Sequence, residues 1–306
     1  MNIKPFIHSQ QTTTNIIYLT LIALTPALVA SILKYEWKGT LLVLITIISA
    51  GIIELLIAGR KGFDKSIFIT ALIFALILPA NIPLWIPPLG CAIAILMGKH
   101  MFGGLGHNLF NPAVLSRAIL MVAIPSLFFT TGWGIDGITQ ATPLAKEMGA
   151  LLPNLDIPFN SGLYTTLAQI SPFAVIAGGL FLIFFRVIDW RVPFYYLATV
   201  CLLAWILPPG DRIIGHTEWL AYNPFIQLFG GGTLFAAFFL LTDPITSPFS
   251  APGRIIYAVI AGAYTIIIRY YTPYPDGVTF AILLVNMLTP VINKHVFDYV
   301  YKKKIN

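Results

Sequence analysis

Apolar runs of nearly membrane-crossing length follow one another along almost the whole chain, separated by short polar turns, and no other feature restricts its fold as tightly. A bilayer core takes about 20 apolar residues of helix. The runs read as ten helices with approximate edges 15–33, 39–58, 67–80, 82–98, 110–129, 168–186, 193–208, 219–241, 254–270 and 277–293. The third and fourth are short and meet at Pro79-Ala80-Asn81-Ile82-Pro83, which suits a tight turn or a partly re-entrant pair. Only 10% of the 306 residues are charged, where a soluble domain carries roughly a quarter. The fold class expected is an all-α polytopic membrane protein, with residues 1–306 forming a single integral membrane domain.

The net charge of +6 follows membrane topology and is no nucleic-acid footprint, because the basic residues sit in short loops and at the tail. Arg60, Lys61 and Lys65 mark one face, and Arg186, Arg191, Arg254, Lys294 and Lys302 to Lys304 fall on the same side of a ten-helix chain. Alternate loops carry fewer basic residues, apart from Lys34 and Lys38 in the first. Both termini are therefore expected on the cytoplasmic side of the membrane, with the 130–167 loop external. The first apolar run, from about Asn15, is followed by many more, so it reads as a first helix and not as a cleavable signal. Cys91 and Cys201 lie inside apolar runs without metal-ligand spacing and read as packing thiols.

An internal repeat is suggested by two glycine-rich segments, each followed by a proline that interrupts a helix. Phe102-Gly103-Gly104 precedes Asn111-Pro112, and Phe229-Gly230-Gly231-Gly232 precedes Asp243-Pro244. Such interruptions in corresponding halves, here about 15–129 and 168–293, point to a central site where freed backbone groups find partners. Glycine and proline are also simply common in membrane helices.

Ionisable residues inside spans are candidate functional groups because burying them is costly. Glu54, Arg117 and Asp243 qualify. Glu54 either snorkels towards the Arg60 face or accepts a cation or proton. Arg117 pairs with a carboxylate or meets a cofactor. Asp243 before Pro244 either caps a broken helix or serves as an ion ligand. Asn108 and Asn111 either cap the fifth helix or present amide donors and acceptors to a ligand. His100 and His107 have no Cys or carboxylate cluster beside them, so no metal site is expected. No Walker loop, zincin motif or nucleophile elbow is present.

Four separated motifs, in order, carry a resemblance. Gly98-Lys99-His100-Met101-Phe102-Gly103-Gly104-Leu105-Gly106-His107-Asn108-Leu109-Phe110-Asn111-Pro112-Ala113 is similar at nearly every fixed position to the G-K-x-x-F-G-G-x-G-x-N-x-x-N-P-A signature of the RnfD/NqrB family. Thr242-Asp243-Pro244-Ile245-Thr246-Ser247-Pro248 resembles its T-D-P-x-T-x-P segment, and Pro275-Asp276-Gly277-Val278-Thr279-Phe280-Ala281 the start of its last helix. Asp136-Gly137-Ile138-Thr139-Gln140-Ala141-Thr142 resembles its flavinylation motif, departing at Gln140, where the family carries a small residue. The short length favours the RnfD branch.

The resemblance implies a urea-channel-like fold of two inverted five-helix repeats. It implies FMN joined through a phosphoester to Thr142 by a flavin transferase, with Asp136, Thr139 and Ala141 belonging to the recognised string. Pro143 biases Thr142 towards extended backbone, which keeps its hydroxyl presented. A second, non-covalent flavin, riboflavin, is implied near Asn108 and Asn111. In the Na⁺-pumping relatives a helix matching that of Glu54 carries a carboxylate implicated in ion uptake. The function implied is that of a membrane component of an Rnf-type complex. Such a complex passes electrons between ferredoxin and NAD with Na⁺ or H⁺ movement, in company with the other Rnf subunits. The alternatives are the quinone-reducing NqrB type and a passive channel for a small polar solute.

Overall fold

The computed structural model describes residues 12–104, 106–129, 166–207, 224–272 and 277–305, and all regular structure among them is helical. Among the described residues, three segments are long and apolar enough to cross a bilayer by length and composition: Thr13–Gly59, Ala251–Tyr271 and Val278–Tyr299. Residues 130–165, with Asp136, Thr139, Ala141 and Thr142, lie outside the described residues, as do Pro275 and Asp276.

The first element, α1 (Thr13–Gly62), is two arms joined at Glu36, whose φ of 50° and ψ of −128° break the helix. A Cβ on Gly39 would lie 3.3 Å from the Ser31 carbonyl oxygen. Eight residues of unbroken helix span about 12 Å, so the chain folds back on itself here. On the second arm Ile48, Ile52 and Leu56 recur every fourth residue and all are exposed. An apolar stripe facing outward at helical spacing is what a lipid-facing helix requires.

α2 (Ile67–Ile77) is buried on every side from Ala71 to Ile77 and runs through the middle of the bundle. It stops at Leu78, short of the expected residue 80, because Pro79 pushes the residue before it into extended backbone. α3 (Ile86–Ile93) opens into a wide π-type turn, Ala94–Lys99, and a tight turn, His100–Phe102. α4 (Pro112–Ala123) and α5 (Pro125–Phe129) divide the expected 110–129 helix at Pro125. A tight turn at Leu167–Ile170 leads to α6 (Pro172–Phe184), followed by α7 (Arg191–Ile206).

The expected helix 219–241 is broken. Among its described residues α8 (Pro224–Phe229) and α9 (Thr233–Phe235) are α-helical, and a π-type turn covers Ala236–Leu240. Gly231 and Gly232, with φ of 60° and 74°, occupy the left-handed region between them, which a reading of hydropathy does not register. α10 (Ala251–Tyr271) packs most extensively on α7 and on α11 (Val278–Ile305). α11 outlasts its expected end at 293 and passes through Pro290, because the polar residues from Asn293 onward continue the helix past the apolar stretch.

Helix starts repeat one device. Asn111, Ser171 and Ser250 each accept a hydrogen bond from a backbone N–H of the first turn they precede, and a proline occupies one of the first two helical positions. A proline there removes an N–H that would have no intrahelical partner.

Close helix contacts depend on glycine. A Cβ on Gly178 of α6 would sit 2.1 Å from the Ala23 carbonyl oxygen of α1, and one on Gly179 would sit 2.3 Å from the Phe238 ring. Small residues at such crossings let backbones approach within the membrane. Gly178→Ala is expected to lower stability by about 1–3 kcal/mol, because the obstacle is backbone and cannot rotate away. Gly51→Ala, with nothing within 4 Å of the added carbon, is the control. Equal melting temperatures for the two variants in detergent would contradict this contact.

Candidate functional site

At one end of the bundle a cavity of about 430 Å³ lies between the start of α1, the start of α2, the glycine-rich segment, the end of α6 and the Thr242–Ile245 turn. Its walls are mainly apolar, from Ile16, Ile73, Leu182, Phe238 and Phe239 among others, and its polar edge includes Ser66, Lys99, Asn108, Asn111 and Asp243. A volume of this size, apolar with a few converging polar groups, has the character of a small-molecule site.

The two asparagines differ in what they can still offer. Asn111 Oδ1 accepts from the Ala113 and Val114 backbone N–H groups at 3.1 and 3.4 Å, so it caps α4. Asn108 is buried, and its Oδ1 has no hydrogen-bond partner among the described residues. A buried acceptor left unmatched costs about 1–3 kcal/mol, so this oxygen is available to a donor that enters the cavity. Asp243 also lines the cavity, yet its carboxylate holds its own turn: Oδ1 accepts from the Ile245 N–H at 3.2 Å and Oδ2 from the Thr246 hydroxyl at 3.3 Å.

Glu54 is fully buried and does not reach the surface, which corrects the snorkelling alternative. It cannot snorkel because its partners are inside. Lys99 Nζ is 2.7 Å from Glu54 Oε1 and 3.0 Å from Asp64 Oδ2, while His100 Nε2 is 3.0 Å from Glu54 Oε2. Lys99 itself is only 5% exposed, and at that burial an ammonium needs this double pairing. Burial pushes the Asp64 carboxyl upward, but hydrogen bonds from Ser66 and the Lys99 ammonium outweigh it and hold the group below its ordinary range. A cationic side chain on the cavity wall is thus locked to a four-residue charged cluster. Arg117 is buried in α4 but is not among the residues lining the cavity.

Another buried cation lies at the opposite end. Arg269 is 15 residues beyond Arg254 on α10, about 22 Å along the helix. Its guanidinium donates to the carbonyls of Gln227, Gly230 and Gly231, to Gln227 Oε1 and to the Thr233 hydroxyl, at 2.8 to 3.3 Å. It grips the carbonyls that end α8 and holds the left-handed glycine turn. Gln169, which follows residues 130–165 in sequence, borders the same turn, since a Cβ on Gly232 would lie 3.1 Å from its Nε2.

Lys99, Asp64 and Arg269 are not singled out by the sequence, and His100 is considered there only as a metal ligand. Lys99 stands one residue past the run 82–98 and Arg269 one residue before the end of 254–270, so both look like charges marking a helix boundary. The cost of burying a charge is the signal that finds them, once the spans are drawn a turn longer.

The geometry can be set beside known proteins. The family model described as NQR2, RnfD, RnfE family matches residues 1–302. Over 310 residues the chain is 35% identical to the D subunit of the Na⁺-translocating ferredoxin:NAD⁺ oxidoreductase complex of Acetobacterium woodii, covering 97% of this chain and 93% of the relative. It is 32% identical to the D subunit of the proton-translocating ferredoxin:NAD⁺ oxidoreductase complex of Clostridium ljungdahlii, covering 95% and 92%. It is also 32% identical to the D subunit of the ion-translocating oxidoreductase complex of Actinobacillus pleuropneumoniae, covering 97% of each. The first two relatives are named for different ions at nearly the same identity, so overall likeness does not select the ion. With a match that spans all but the last four residues, the chain belongs to the NQR2, RnfD, RnfE family.

Proposed function

We propose that this chain is the RnfD-type membrane component of an ion-translocating ferredoxin:NAD oxidoreductase complex, an electron relay with FMN on Thr142 and riboflavin in the cavity. The observation that carries the cavity assignment is the buried Asn108 Oδ1, without a partner among the described residues, on the polar edge of an otherwise apolar space. A flavin ring matches that edge: its flat apolar body suits the Ile, Leu and Phe walls, and its imide N–H suits the Asn108 oxygen. Flavins supply one- and two-electron transfer, while the protein supplies position and electrostatics. Lys99 stands on the same wall with its ammonium paired to Glu54 and Asp64. The apolar walls keep water away from that polar edge.

The topology supports an external attachment loop. Arg186, Arg191 and Arg254 gather at the cavity end, the end that basic residues mark as cytoplasmic. Leu167, the second described residue after the 130–165 stretch, donates its backbone N–H to Leu78, at the far end of α2 from Ser66. Thr142 then lies on the external side with both termini in the cytoplasm. Ten spans in two inverted halves also suit the geometry. Gly106 lines the cavity while Gly230 and Gly231 are held by Arg269 at the opposite end of the bundle, the placement that an in-plane two-fold axis gives to corresponding glycine segments.

The test is the flavin content of the complex. Co-expressed with a flavin transferase, the denatured chain is expected to show in-gel flavin fluorescence that disappears completely in Thr142→Val. Acid extraction of the native complex is expected to release riboflavin, reduced in Asn108→Leu with the fluorescent band unchanged. Absence of the band with an active transferase would leave the channel reading in its place.

A further inference from the structure

A second space of about 450 Å³ opens at the basic end, lined by Arg186, Asp189, Trp190, Ser247 and Arg254 among others. It is separated from the first cavity by Val187, Ile188, Thr242 and Pro244, which line both. Three features of its wall bear on what it accepts.

The first is surplus positive charge. Asp189 Oδ2 is 3.0 Å from the Arg254 guanidinium and 3.4 Å from that of Arg191, and Oδ1 accepts from the Arg191 backbone N–H at 3.1 Å. Burial pushes the Asp189 carboxyl upward, but these contacts outweigh it and keep it ionised. One carboxylate thus serves two guanidinium groups, and Arg186 adds a third cation. The second is Arg186 itself. Its φ of 56° is left-handed backbone, uncommon for a residue with a side chain, and its exposed guanidinium makes no hydrogen bond or ion pair with the described residues. The third is the rim. Phe184, Trp190 and Phe194 are exposed beside it, with Trp190 and Phe194 packed edge to face. Exposed aromatic residues gather at the level of lipid headgroups.

A cationic pocket opening between exposed aromatic rings at the bilayer interface has the chemistry of a phospholipid headgroup site. We propose that Arg186 and Arg254 bind the phosphate of an anionic phospholipid here, with its acyl chains lying along the Phe184 and Phe194 side. Guanidinium is suited to this because its planar fork matches phosphate oxygens. The site stands apart from the flavin assignment and does not depend on it.

The complex, reconstituted in nanodiscs of mixed phosphatidylcholine and phosphatidylglycerol, tests this by native mass spectrometry of lipid retained on the full-length chain. Phosphatidylglycerol is expected to be enriched on the wild type, and Arg186→Gln to lower that enrichment about fivefold. The Arg186 guanidinium makes no hydrogen bond or ion pair with the described residues, so the variant folds, which an unchanged melting temperature in pure phosphatidylcholine verifies. Equal enrichment in wild type and variant overturns the site. Stabilisation by inorganic phosphate alone in phosphatidylcholine discs, lost in Arg186→Gln, keeps the phosphate site but overturns the lipid as its occupant. Enrichment on the isolated chain that vanishes in the intact complex also overturns the lipid, because another protein of the complex then covers the pocket.

Discussion

Replacing Arg269 by methionine is expected to destabilise the chain by about 3–5 kcal/mol, among the largest effects available to a single substitution. The residue is 5% exposed and its guanidinium serves five oxygen atoms at once. Each hydrogen bond to a charged group contributes about 1.5–3 kcal/mol, and the contributions do not add in full. Methionine fills much of the volume but donates nothing, so the carbonyls of Gln227, Gly230 and Gly231 lose their shared donor inside a membrane protein. The damage should be local first: faster hydrogen exchange and new protease sensitivity across 224–235, together with a lower melting temperature. Lysine is expected to recover only part of the loss, because an ammonium cannot span acceptors arranged around a planar fork. A methionine variant with the exchange pattern and melting temperature of the wild type would refute this role for Arg269.

Lys99→Met is expected to have an effect of similar size for a different reason. It removes the cation shared by Glu54 and Asp64, leaving a fully buried carboxylate with only His100 beside it among the described residues. Breaking a buried pair by deleting one partner costs about 3–5 kcal/mol, because the remaining charge stays without compensation. Glu54→Gln should cost less, since Lys99 keeps Asp64 at 3.0 Å. The discriminating measurement is a double-mutant cycle by thermal or denaturant unfolding in detergent. Lys99→Met with Glu54→Gln should be more stable than the sum of the two single losses predicts, by a coupling of about 1–3 kcal/mol. Strict additivity would mean that the two side chains do not depend on each other.

These predictions fall on groups that a linear reading handles poorly. Glu54 is recognisable as a charge inside an apolar run, because that judgement needs only neighbouring residues. The partners of Glu54 lie 45 and 46 residues away at Lys99 and His100, and nothing in the spacing connects them. Asn108 and Asn111 look equivalent in the sequence, yet one amide oxygen is taken by the α4 backbone and the other is not. The run 219–241 looks like one span because its glycines are apolar enough for a hydropathy reading, while their left-handed backbone breaks the helix.

A helical chain built to cross a membrane, the positions of its apolar runs and the basic character of one end of the bundle were all written in the order of residues. Burying apolar length and keeping charge in loops are properties of residues taken one stretch at a time. The family motifs were equally legible, being local strings. Which buried charges pair, which glycine permits a helix crossing, and that Lys99, Asn108 and Asp243 face one cavity emerged from the three-dimensional packing alone. Those facts depend on which distant segments meet, and the low dielectric between helices makes each such meeting either strongly favourable or forbidden.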